Sequence, residues 1–555
     1  MRSTLQVLAG FLALAGLLQA QAPAGPELAE RRLKNGIRVL AVERPDSGVV
    51  RATLVFRAGS ADTGGLPPVS AHLLAAALFR ELRPEDLEER SPLDETLERI
   101  EHLREALRLE GLRRKRLPGD EAPGEHERAI EASLRDQQAR AESLQTPRDR
   151  PDLLEGLGGL NRSVQAHPDG ILVGVDLPTT ALETWLALEA RRLRTLRLPR
   201  LDRERETLAK STGQEDLGLR LILATALRGS PYAMVLDRGG LQEILRSELL
   251  AWARKSLCPE RMALVLVGDF RLEALLPAMD RHLGSLPNGE GSLREAADTE
   301  PPLGGQGPTE IHVPVVGQPR LLAAWRVPPA SHPARHALQI LAELLGRGES
   351  ASGREDAEGR PRKPRFRAST GVPGERLLNL LTVEVDPLEG QSLGEAAQDL
   401  ERALLKVAEE LQRPSVLEGV LAHLQTQSMA QQADAAALSD LLGRAWCATG
   451  DWRPAFPASR DPSSRSPAAL QAAARSYLRS SEATLLHLEA DPARSTSDPT
   501  QEELFRLMVA RAQAQTGDPV KAEAIARQAV AQLLLLPRER REEFARLLRS
   551  PKGKP

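Results

Sequence analysis

The chain has 555 residues, enough for three to five folding units at roughly 100–200 residues each. It is 41% hydrophobic and 27% charged, a globular balance. The net charge of −3 and 3% aromatics exclude a strongly basic nucleic-acid binder and a base-stacking platform. Two cysteines, Cys258 and Cys447, exclude a disulfide framework and a Cys-rich zinc module, and leave a single disulfide open.

Met1-Arg2 is followed by an apolar run, Leu5 to Leu18, and then by Ala20-Gln21-Ala22 before Pro23. That order predicts a secretory signal peptide over residues 1–22. The run is too short for a comfortable membrane span. The expectation is an exported protein, periplasmic or secreted, with no stable membrane insertion after cleavage. Next, Gly36 to Phe56 reads as two strands around the turn Pro45-Asp46-Ser47-Gly48. An apolar helix is expected from Ser70 to Leu82. Residues 81–150 then carry 33 Asp, Glu, Lys or Arg in 70 positions, with leucines and isoleucines at helical spacing. They read as an inserted, solvated helical hairpin.

A strand at Ile171–Leu177, helices at 180–196 and 201–228, and a buried strand at Ala263–Val267 complete a first half, 30–290. Residues 291–310 read as a linker. The order restarts with a strand at Leu321–Val327, a helix at His336–Leu345, a strand at 376–385, helices over 394–446 and a strand at Thr484–Leu488. This second half, 311–495, repeats the first half's grammar and predicts a duplicated α+β unit. Residues 500–550 form an amphipathic helical tail that needs a surface to pack on.

Several segments in this order resemble the M16 metallopeptidases, the insulinase and pitrilysin family. Leu33-Lys34-Asn35-Gly36-Ile37-Arg38-Val39 is similar to the family's opening strand. Phe56-Arg57-Ala58-Gly59-Ser60-Ala61-Asp62 is similar to its F-x-x-G-S segment, and Gly158-Gly159-Leu160-Asn161 to its edge segment. Trp185 to Leu193, Ser230-Pro231-Tyr232, and Cys258-Pro259-Glu260-Arg261-Met262 with Val267-Gly268-Asp269 continue the resemblance. It implies an α+β clamshell of two homologous halves, each an antiparallel-rich sheet with helices packed on it, plus the C-terminal helical extension.

The family's zinc motif, H-x-x-E-H, sets two histidine ligands one helical turn apart and a glutamate between them as general base. Here it reads His72-Leu73-Leu74-Ala75-Ala76. The resemblance places the third ligand, a glutamate in the family, at Ser211. A catalytic zinc takes about three protein ligands plus water. A vestigial His72 alone does not supply them, and Ala75 cannot take a proton from water. No catalytic residue and no cofactor are therefore expected. His332 and His336 are four apart, but Pro333 interrupts their face, so they read as surface histidines. His167 reads as a surface turn.

The reading that follows is a non-catalytic partner or scaffold of an active M16 zinc peptidase, or a homo-oligomer, handling peptides or unfolded protein. The edge segment, with Gly159, Asn161 and Val173, is the expected place for an added peptide strand. In family partners of this kind the second half often supplies an Arg and a Tyr. This chain has only Tyr232 and Tyr477, and neither is expected by the 346–376 loop. The alternative is a divergent zinc metalloendopeptidase that uses non-standard ligands.

Overall fold

The computed structural model describes residues 27–490, apart from 90, 117–123, 146–151, 212–216, 238, 290–308, 316–317, 348–353, 356–360, 363–364, 389, 412 and 457–461; beyond 490 it describes 505, 508 and 509. The expected signal peptide, nearly all of the linker and nearly all of the helical tail lie outside the described residues.

In chain order the first half contains β1 (Leu28–Arg32), β2 (Arg38–Glu43), β3 (Val49–Phe56), α1 (Ser70–Phe79), α2 (Leu93–Arg116), α3 (Glu125–Ser143), the short α4 (Leu153–Gly156), β4 (Leu160–Ala166), β5 (Ile171–Pro178), α5 (Leu182–Thr195), α6 (Leu201–Ser211), α7 (Leu217–Ala226), α8 (Arg246–Ser256), β6 (Met262–Gly268) and α9 (Leu272–His282). The second half contains β7 (Thr309–Val315), β8 (Arg320–Val327), α10 (Arg335–Gly346), the ribbon β9 (Arg354–Glu355) and β10 (Pro361–Arg362), β11 (Arg365–Val372), β12 (Asn379–Asp386), α11 (Leu393–Glu410), α12 (Pro414–Ala433), α13 (Ala435–Thr449), α14 (Pro467–Tyr477) and β13 (Thr484–Ala490).

The first sheet runs β1-β2-β6-β3-β5-β4 and the second β11-β12-β8-β13-β7. Written from the other end, the second is β7-β13-β8-β12-β11, the same order as β2-β6-β3-β5-β4. β6 inserts between β2 and β3, and β13 between β7 and β8, each parallel to the first of its neighbours and antiparallel to the second. This is the internal duplication expected from the repeated grammar. β2 and β3 flank the expected turn without pairing, because β6 fills the gap between them.

β3 and β6 read as apolar runs because both faces of the sheet are covered. Leu54 and Phe56 face the core shared with α1, α5 and α8. Val55 and Val265 face the other way, into a layer built by Leu438, Leu442 and Trp446 of α13. That helix belongs to the second half. Conversely, Ile222 and Leu223 of α7, from the first half, cover Leu322, Leu380 and Leu486 of the second sheet. The halves thus exchange helices. α2 and α3 form the expected hairpin around Leu93, Leu97, Ile100, Leu134 and Ala141.

Candidate functional site

α1 carries Ser70-Ala71-His72-Leu73-Leu74-Ala75-Ala76, and all but His72 of these seven are buried. Positions three and four along a helix share a face. His72, Ala75 and Ala76 accordingly line one cleft of about 770 Å³, together with Arg80, Glu155 and Leu208. Leu208 is on α6, and Ser211 lies three residues further on that helix, at its end. The Ser211 side chain lies outside the described residues. Among the described residues two carboxylates come near, and both are engaged. Glu204 is buried and pairs with Arg80 at 2.6 Å. Glu155 accepts from the backbone N–H of Asp152 at the start of α4.

The cleft is bounded by β4, which among the described residues has a neighbouring strand on one side only. Asn161 has φ +47, and the register shifts between Leu160 and Ser163, so β4 begins with a bulge. Buried Arg51 holds that bulge: it donates to the Asn161 carbonyl at 2.8 Å and to Ser163 Oγ at 2.6 Å. Asn161 donates to Asp176 at 2.8 Å. Gly159 has no room for a side chain, since a Cβ would sit 2.7 Å from the Leu154 carbonyl. Val173 lies one strand inward, on β5 opposite Val164, and is buried. It packs under the edge and is not on it.

The β4–β5 turn carries His167 and Asp169. His167 is half-buried, not a plain surface residue. Burial, with help from Arg444 and His72, lowers its pKa to about 4. Its ring meets Gln165 Oε1 at 2.9 Å. Asp169 is buried and accepts from the Tyr232 hydroxyl and from the backbone N–H groups of Glu375 and Arg376. Arg376 in turn reaches Asp62 at 2.7 Å. Burial works against the Arg376 charge, but Asp62 and Asp169 outweigh it and hold the guanidinium above its ordinary pKa. Tyr232 also accepts from the Arg376 and Leu377 amides.

Sequence reasoning missed this network and placed Tyr232 away from the 346–376 loop. The structure corrects that: its hydroxyl clamps the loop's end. The signal was present in the F-x-x-G-S-A-D and S-P-Y segments, whose Asp62 and Tyr232 both bond Arg376 here.

A cavity of about 1000 Å³ opens at the junction of the halves, lined in part by His167, Asp169, His336, Cys447 and Tyr477. His336 is buried at 8% exposure, which corrects its reading as a surface histidine. It belongs to the apolar α10, whose buried face takes it inward. His332 is exposed and stands edge-on to Tyr477. Cys258 and Cys447 are separate buried thiols, so the disulfide left open by the sequence is not formed. Burial pushes the Cys258 thiol up to about 11.

This architecture, two duplicated α+β halves with a helix-borne His72 beside an edge strand, is that of an M16-type fold. A family model described as Peptidase M16 inactive domain matches residues 244–360. That match, with the fold, makes the chain similar to the M16 peptidases. The structure resembles a protease from Helicobacter pylori, at 15% identity and TM-score 0.59, covering 84% of this chain and 100% of that one. It also resembles a peptidase M16 inactive domain from Pseudomonas fluorescens, at 18% identity and TM-score 0.56, covering 84% and 98%. A third likeness is to the first half of the periplasmic protease PqqL from Escherichia coli, at 14% identity and TM-score 0.53, covering 86% and 95%. Among curated proteins, no sequence matches.

Proposed function

We propose that this chain is an exported, non-catalytic M16 subunit that partners an active M16 zinc peptidase and helps hold an extended peptide or unfolded protein. The observation that carries the reading is the His72 cleft. One helical turn from the histidine stand two alanines, and the nearby carboxylates, Glu204 and Glu155, are already committed to Arg80 and to a backbone cap. A zinc-bound water needs about three protein ligands and a base, and among the described residues this wall supplies neither set.

The partner role draws on the size of the relatives. The chain covers 91% of itself but only 50% of full-length PqqL, the extent of one half of that protein. Export draws on the N-terminal charged, apolar and small-residue order, and agrees with the periplasmic setting of PqqL. Peptide handling draws on the edge of β4, which no further strand covers among the described residues and which can pair with an added strand. A ferredoxin protease, FusC, has been crystallised with Arabidopsis ferredoxin, and that chain is a fold relative at 15% identity.

The test is hydrolysis of an unstructured fluorogenic peptide by the purified chain with zinc added. The expected rate equals the buffer blank for both the wild type and His72→Ala. Zinc-dependent cleavage that disappears in His72→Ala would establish a divergent peptidase instead.

A further inference from the structure

β7 and β13 pair in parallel, and the register sets His312 directly opposite His487. Their rings stack at 4.4 Å between centroids, 13° from coplanar. Side chains two apart on a strand share a face. Glu310 therefore stands beside His312, and Glu489 beside His487. One donor atom each from Glu310, His312 and His487 lies within 4.8 Å of the others. Glu489 Oε1 meets His312 Nδ1 at 2.7 Å. His487 is only 5% exposed, and its Nε2 is buried with no hydrogen-bond partner. Such a nitrogen is ordinarily satisfied, and each exception asks for a missing partner.

We propose that Glu310, His312 and His487 bind one divalent transition-metal ion, of the zinc class, on the outer edge of the second sheet. Two imidazoles and a carboxylate are a donor set that suits zinc and its neighbours over magnesium or calcium. Tetrahedral bonds of about 2.0–2.2 Å would draw the three donors to within roughly 3.5 Å of one another, a contraction that rotation of the exposed Glu310 and His312 can supply. A carboxylate on one imidazole nitrogen orients the ring and leaves the other nitrogen to the metal, which is the place of Glu489.

The duplication explains why the site is here. β7 corresponds to β2, which β1 covers in the first sheet. Among the described residues no strand covers β7, so this edge is left for an ion to fasten. The site is remote from His72 in the fold, being in the other half, and its role is structural: it ties the open edge strand to β13.

The probe is zinc chloride titrated calorimetrically into the tag-free, chelator-stripped and dialysed full chain. The expected result is one zinc per chain, a raised melting temperature, and affinity lowered at least about tenfold in Glu310→Gln/His312→Gln. Both of those residues are exposed, so this variant folds even where His487→Gln does not. His72→Ala is expected to bind zinc like the wild type. Absence of zinc binding, or binding equal in the wild type and the Glu310/His312 variant, overturns the site. Zinc lost only in His72→Ala overturns both this site and the non-catalytic reading, so the two failures are distinct.

Discussion

His72 shows how little of a metal site survives when its helical neighbours change. Ala75 and Ala76 are 2% and 8% exposed, so the groups that would have faced a metal are replaced by small buried methyls. Ala75→Glu with Ala76→His restores a base and a second imidazole, but Ser211 still offers no carboxylate. The double variant is expected to leave peptide hydrolysis at the blank rate. Cleavage by it would mean that the third ligand comes from somewhere other than the Ser211 position. His167 provides a second residue-scale prediction. Its pKa is about 4 in the fold, against 6.5 for an ordinary histidine. Between those values the unfolded chain binds a proton that the folded chain does not. Its contribution to stability is therefore constant above about pH 6.5 and declines as pH falls toward 4, by up to about 1.4 kcal/mol per pH unit. Urea denaturation across this range should show the decline, and His167→Gln should flatten it. An unchanged slope in that variant would place the titration elsewhere.

Elements were legible where period and length agreed, and illegible where pairing depended on distant chain. The strand at Ile171, the helix at Ser70 and the strand at Ala263 stand within a few residues of their expected bounds. The insertion of β6 between β2 and β3 was not visible, because a local turn says nothing about which strand arrives 200 residues later. The same holds for α13. Its apolar stripe, Leu438, Leu442, Ala445 and Trp446, marks a buried face, but nothing local reveals that the surface it covers is the other half's sheet. Likewise the His72 position was readable only through the resemblance to the family's H-x-x-E-H segment, whereas the Asp169–Tyr232–Arg376 network needed the fold to bring its members together. The packing of α13 is tight enough to test. A Cβ on Gly443 would stand 3.0 Å from both Leu172 and Val55 side chains. Gly443→Leu is expected to cost about 1–3 kcal/mol by overpacking. Trp446→Ala, by leaving a cavity, is expected to cost about 3–5 kcal/mol. Chemical denaturation measures both. Costs below about 0.5 kcal/mol would mean that α13 is not seated on the sheet as described.

At the scale of the whole molecule, the exchange of α7 and α13 makes each half complete only in the presence of the other, and the Arg376 network fastens the seam. Arg376 is 8% exposed at its side chain, and its partners Asp62 and Asp169 are 1% and 10% exposed. Coulomb attraction at such a site is weakly screened, but removing the cation strands two buried carboxylates near each other. Arg376→Met is therefore expected to cost about 3–5 kcal/mol. Arg31 and Glu273 form the comparison pair, at 2.7 Å but with side chains 46% and 72% exposed. Arg31→Met should cost no more than about 1 kcal/mol, since water already competes for both charges. The decisive measurement is a double-mutant cycle with Asp62→Asn in urea. Coupling of about 1 kcal/mol or more to Arg376→Met is expected if the pair acts directly across the seam. Additive losses would mean that the helix exchange alone holds the halves together and that the ion pair is incidental to it.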